Sequence, residues 1–205
     1  KTLEVAGPMR ITDGLSNVCD LSVVVETGDY DTGTEITPPD GYTSTYGMSS
    51  AVSGDGTRVI VGSPSNTNGG SQGPRAGAVY IYTYSGGSWD TGTKIQPSDI
   101  SGGPPESPHS GDYFGNSVAM NSDGTKFIVG ANRARRDLVG TDATGVAYIF
   151  TYNGTSWIQE GRLSNSALLS QDFFGESVAM NSDGTRVIVG APQASWATNN
   201  NSMVG

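Results

Sequence analysis

One segment recurs along this 205-residue chain and constrains what it can fold into. Ser117–Thr125 is identical, letter for letter, to Ser177–Thr185, inside longer copies that run from Phe114 to Asn132 and from Phe174 to Pro192. A looser copy runs from Tyr46 to Pro64. Their Asp-Gly pairs begin at Asp55, Asp123 and Asp183, 68 and then 60 residues apart. Self-similarity at a near-fixed period marks a repeat architecture, in which each unit buries its apolar faces against its neighbours.

Each unit reads as four strands. The first is Ser-Val-Ala-Met, entered through an aromatic-Gly pair. An Asp-Gly turn, a strong short-range hairpin signal because glycine accepts positive φ, leads into the second, Arg-Val-Ile-Val-Gly in the third copy. The third is rich in aromatics, Ala78–Tyr84 or Val146–Tyr152. A second turn, Ser85–Ser88 or Asn153–Ser156, leads into the fourth, which starts at Trp89 or Trp157. An aromatic six residues ahead of Ile or Leu recurs at Tyr30 and Ile36, Trp89 and Ile95, and Trp157 and Leu163, so the register is set. Thirty glycines and ten prolines suit short strands and turns, and no long window places apolar residues at i, i+3, i+4 and i+7 as a helix would.

The expected organisation is an N-terminal strand segment over 1–20, followed by repeats over 21–205. These divide into a partial unit 21–45, units 46–113 and 114–173, and a partial unit 174–205. Three units are too few for a closed ring, which takes four to eight blades. The chain also opens and stops partway through a unit, which predicts a fragment of a longer array, or an open arc whose sheet edge a neighbour covers. Val187-Ile188-Val189 is apolar on both faces, so that strand and its counterparts are expected to be covered on both sides. In Tyr80-Ile81-Tyr82-Thr83-Tyr84 one face is aromatic and the other Ile and Thr. A lone sheet cannot bury both, whereas face-to-face stacking can.

These letters resemble a known family. Phe-Gly-x-Ser-Val-Ala, then Asp-Gly, then Val-Gly-Ala-Pro, then Gly-Ala-Val-Tyr-Ile-Tyr is similar to the FG-GAP repeat of integrin-α-type β-propellers, over residues 46–192. The resemblance implies an all-β, propeller-like array of four-stranded antiparallel blades, extracellular or surface placement, and adhesion or display rather than catalysis. Leu3-Glu4-Val5-Ala6-Gly7-Pro8-Met9-Arg10-Ile11 resembles pieces of phage tail fibres and of structural proteins of large algal viruses.

Each candidate site has a blander role that its residues fit better. Many FG-GAP blades hold calcium in an Asp-x-Asp-x-Asp-Gly loop, but here Asn121-Ser122-Asp123-Gly124 and Asn181-Ser182-Asp183-Gly184 offer one carboxylate each. Calcium takes six to eight oxygens, so turn chemistry and no bound calcium are expected. His109, in a proline-rich loop, has no second histidine with which to build a zinc site or a triad. Asp112 and Asp172 precede equivalent aromatics, and repeat symmetry explains them better than a glycosidase carboxylate pair does. Cys19, the only cysteine, excludes an intrachain disulfide and reads as core filler. Arg133, Arg135 and Arg136 form the one basic cluster, either an exposed loop or a dock for an acidic neighbour. Asn153-Gly154-Thr155 and Asn200-Asn201-Ser202 are glycosylation sequons, meaningful only in a secretory pathway.

The net charge of −9 argues against nucleic acid, and no 18-residue apolar run could span a membrane as a helix. A start at Lys1, without a signal peptide, suggests a processed or trimmed product. No catalytic residue, cofactor or metal is expected. The loops 65–77, 132–145 and 193–205 differ between copies while the framework repeats, so any contact surface belongs there. The first expectation is a non-enzymatic structural or display module on the exterior of a large assembly, a capsid-associated or fibre protein of a virion. The second is a secreted or cell-surface adhesin that binds glycan or protein through the variable loops. A propeller hydrolase ranks far behind.

Overall fold

The computed structural model describes residues 22–23, 34–67, 75–97, 111–135 and 143–194. The segment 1–20, Cys19, His109, Arg136 and the sequon at Asn200 lie outside the described residues. Within them every regular element is a strand, and no helix is long and apolar enough to cross a membrane. β1 (Ser22–Val23) pairs antiparallel with β2 (Thr34–Glu35). The first large sheet holds β3 (Ser49–Val52), β4 (Arg58–Ser63), β5 (Ala78–Ser85), β6 (Ser88–Trp89) and β7 (Thr93–Ile95). The second has the order β11-β10-β9-β8, from β8 (Phe114–Met120), β9 (Lys126–Ala131), β10 (Val146–Tyr152) and β11 (Trp157–Leu163). β12 (Ser177–Met180) and β13 (Val187–Gly190) form a final hairpin. Every pairing between these strands is antiparallel, and the described residues form no closed ring.

The fourth strand of the first unit is broken. Gly92, at φ 79°, sits under the Tyr82 ring and donates its N–H to Asp90 Oδ1, so the chain bends between β6 and β7. In the second unit the same strand runs unbroken as β11, with a register shift opposite Ile149 and Phe150.

The turn after each first strand spans four residues between closing pairs Ser53/Arg58, Asn121/Lys126 and Asn181/Arg186. Positive φ falls on the glycine alone, at 72°, 67° and 70° for Gly56, Gly124 and Gly184. The preceding aspartate shapes the turn with its side chain, accepting the N–H and hydroxyl of the threonine two residues on. That is an Asx turn rather than a primed two-residue turn.

Alternation along β5 and β10 decides how the sheets stack. On β10, Tyr148 and Phe150 face the first sheet, where they join Phe114, Phe127 and Val129 against Ile60, Val79, Ile81 and Ile95. On β5, Tyr80 and Tyr82 face the other way, with Tyr46, Val59, Val61 and Ile36. The aromatic face of one unit therefore packs on the chain segment before it, and the Ile/Val face packs on the unit after it. Each such side chain contributes on the order of 2 kcal/mol relative to exposure, and a solitary sheet would forfeit most of it.

The central strands bear this out, with Val59, Ile60, Val61, Phe127, Ile128 and Val129 all at most 2% exposed. The expectation for Val187–Val189 does not hold. Ile188 is 70% exposed, because no third strand and no following sheet lie against β13 among the described residues.

Candidate functional site

Neighbouring units are joined by a contact that repeats. The N–H of Phe114 donates to the carbonyl of Ala76, and that of Phe174 to the carbonyl of Thr144. Gly77 and Gly145, both at positive φ, lie against these phenylalanine backbones with no room for a Cβ. The next glycines, Gly115 and Gly175, turn their carbonyls back onto the preceding unit, where the hydroxyls of Ser49 and Ser117 donate to them at 2.8 Å. Gly62 and Gly130 face those same carbonyls, and a methyl there would collide with them. On the opposite rim the hairpin turns are laced together, Gly54 N–H to Ser122 carbonyl at 2.7 Å and Ser122 N–H to Ser182 carbonyl at 2.8 Å. The aromatic-Gly signature is thus a joint between units. The serine two residues after each glycine was the sequence signal for it, and its role was missed.

The rim that carries the variable loops is built on this joint. Thr45, Tyr113 and Phe173, each just ahead of the aromatic-Gly pair, adopt left-handed φ of 57° to 58°. Side chains there alternate between cation and ring. Arg75 donates through Nη1 to the Tyr113 hydroxyl at 3.1 Å, and the Arg133 guanidinium lies 5.0 Å from the Tyr113 ring centre and 5.6 Å from that of Phe173. Arg133 is therefore engaged between two units, and the carbonyl of Arg135 accepts from Arg162 Nη2.

Asp112 and Asp172 occupy equivalent places under this rim, 3% and 6% exposed. The backbone carbonyls of Asp112 and Asp172 accept the N–H groups of Arg133 and Gln193, and the Asp172 carboxylate accepts the N–H of Leu169 at 2.7 Å. Both aspartate carbonyls thus hold the start of the loop that follows the next unit's second strand. Asn153 is exposed at a turn tip, where its Oδ1 accepts from the N–H groups of Thr155 and Ser156.

Asp55, Asp123 and Asp183 are spread along the other rim. Hydrogen bonds from Thr57 and Ser53 hold Asp55 down to about 2, and bonds from Thr125 and Thr185 lower Asp123 and Asp183. Among the described residues no three His, Cys, Asp or Glu side chains come together as a metal would need.

One polar cluster was not anticipated. Asp40 accepts from Lys94 Nζ at 2.8 Å and from the Tyr80 hydroxyl at 3.0 Å, while Asn66 donates to that hydroxyl at 2.6 Å and accepts from Lys94 at 2.9 Å. Burial alone would raise the Asp40 carboxyl, but bonds from Lys94, Tyr42 and Tyr80 outweigh it and leave the group below its ordinary value. Beside it the Tyr46 hydroxyl donates to that of Tyr82, which donates to the Thr37 carbonyl. Burial raises all three tyrosines, Tyr82 to about 12. These groups clamp segment 34–46 to the first sheet.

No curated protein is similar to the chain at the sequence level. A solved structure, Kuenenia stuttgartiensis hydrazine synthase, is similar at a TM-score of 0.42 and 13% identity. The match covers 68% of this chain, which spans only 40% of that one. The FG-GAP repeat family matches residues 105–150 and 157–204. The chain is an all-β, propeller-type array that carries FG-GAP repeats over residues 105–150 and 157–204.

Proposed function

We propose that this chain is a non-enzymatic structural and display module on the exterior of a large assembly, with the outer surface of a virion as its placement. FG-GAP repeats are typical of extracellular and cell-surface proteins, and of adhesion. The observation that carries the reading is the inter-unit joint, which repeats at Gly77/Phe114 and at Gly145/Phe174 while the loops leading into it differ in sequence. A constant frame that tolerates changing loops is the property a display scaffold needs. The partner is a neighbouring capsid or fibre protein. Antibody labelling of purified particles, together with the native mass of the protein, tests this. Labelled particles and a mass set by the particle are expected, and recovery only as a free monomer sinks the placement.

A second reading, a secreted or cell-surface adhesin, is favoured by the Arg75–Tyr113–Arg133–Phe173 row on the loop-bearing rim. Cations stacked on aromatics offer flat, pre-ordered contact area. Arg75→Ala and Arg133→Ala strip the cations from that row. Loss of attachment to cells with no effect on particle assembly selects the adhesin.

A further inference from the structure

The first two sheets are pressed together at Gly62 and Gly115 and diverge toward their outer strands. The gap opens into a cleft of about 710 Å³, continuous with the apolar interface below it. Ile81, Thr83 and Thr93 line one wall, and Tyr152, Trp157 and Gln159 the other. We propose that this cleft binds a short, neutral oligosaccharide. This goes beyond the scaffold reading, since the cleft lies between outer strands and not on the loop rim.

The volume falls in the range of small-molecule sites, about 300–1,000 Å³. A sugar ring is amphipathic, with C–H bonds on its faces and hydroxyls around its edge. It is held where aromatic rings and short polar side chains share one gap. The aromatic wall is braced in advance, with Trp157 4.7 Å from the Phe127 ring and 5.2 Å from that of Tyr152. Arg58 also lines the cleft, its guanidinium 4.6 Å from the Tyr152 ring centre and its Nη1 donating to the Gly124 carbonyl. Thr83, Thr93, Thr155, Ser156 and Gln159 add hydroxyls and an amide.

The charges of the cleft have partners within the protein. Lys94 is held by Asp40 and Asn66, and Asp90 Oδ1 accepts the N–H of Gly92. An anion would gain little from cations already engaged, which favours an uncharged ligand. A peptide adding as a strand would pair along the outer edge of β7 or β11. The cleft instead opens between the two sheets, its walls formed by side chains of β5 and β7 on one side and of β10 and β11 on the other.

The full chain tests this, first on an array of neutral oligosaccharides and then by calorimetry with the tightest binder. Thr93→Trp plugs the cleft from an exposed position, and Gln159→Ala removes an amide. Each is expected to weaken binding by about tenfold or more, with an unchanged melting temperature. Arg75→Ala, on the loop rim and outside the cleft, is expected to leave binding intact, which separates the two. Absence of binding at millimolar sugar, binding indifferent to the Thr93→Trp plug, or selective capture of a peptide in place of sugar would each overturn the proposal.

Discussion

Tyr46, Tyr80 and Tyr82 in the first unit stand where Phe114, Tyr148 and Phe150 stand in the second. In the second unit these rings close on the Ile/Val face of the first sheet, and Phe114 meets Tyr148 and Phe150 edge-on at 5.5 and 6.0 Å. With two of the three hydroxyls absent, that interface needs little polar accommodation. In the first unit the same positions face segment 34–46, and three hydroxyls come with them. Each has an acceptor or a donor: Asp40, Asn66, Thr37 or the neighbouring tyrosine. A buried hydroxyl without a partner costs about 1–3 kcal/mol. The aromatic positions thus set shape in both places, while their hydroxyls appear where polar groups exist to receive them.

The largest break in this comparison comes from the apolar side. Phe114→Ala is expected to cost about 3–5 kcal/mol, measured by denaturant unfolding, because it empties the interface at the joint itself. A loss below that of Tyr46→Phe would mean that the two sheets are not held by this packing.

Exchanging the hydroxyls sharpens the contrast. Phe114→Tyr is expected to lose about 1–3 kcal/mol, as its hydroxyl enters an interface built from carbon, whereas Tyr46→Phe removes a donor whose partner, the Tyr82 hydroxyl, still bonds to Thr37, and loses about 1 kcal/mol. Equal losses in a denaturant series would show that partnering does not distinguish the two interfaces.

The joint serines extend the comparison to the final hairpin. Ser49→Ala and Ser117→Ala each remove a bond to the next unit and are expected to cost about 1 kcal/mol. Ser177→Ala, at an exposed equivalent position, is expected to stay within about 0.5 kcal/mol. A comparable loss at Ser177 would show that its hydroxyl is engaged after all.

The smallest effect is that of pH on the turns. Asp55, Asp123 and Asp183 all have folded values below the unfolded carboxylate, near 4. Depressed values mean that the ionised form belongs to the fold. Their contribution is complete above about pH 4 and fades as pH falls toward about 2, the folded value of Asp55. Melting curves across that window should show a shallower acid loss for Asp55→Asn than for the parent, and identical slopes would remove the Asx turns from the acid response.

Much of the fold was legible because two local signals, the Asp-Gly turns and the strand alternation, repeat with the same phase in each copy. Even so, Asp-Gly suggested positive φ without showing that the aspartate carboxylate, rather than its backbone, makes the turn. Ser49, Ser117 and their glycine partners were visible as repeated letters, but a repeated letter does not say what it touches in the neighbouring unit. The Asp40–Lys94 pair was invisible, since its members lie 54 residues apart and Asp40 belongs to no motif.

The order of strands, the aromatic and aliphatic faces of β5 and β10 and the need for stacked neighbours were determined by the sequence alone, because they follow from period, turn chemistry and the burial of apolar side chains. Which face met which, and how Arg133 and the tyrosine hydroxyls found partners, were decided only by the tertiary structure. Those outcomes depend on surfaces brought together from distant parts of the chain, and equivalent aromatic positions meet carbon in one unit and polar groups in the other.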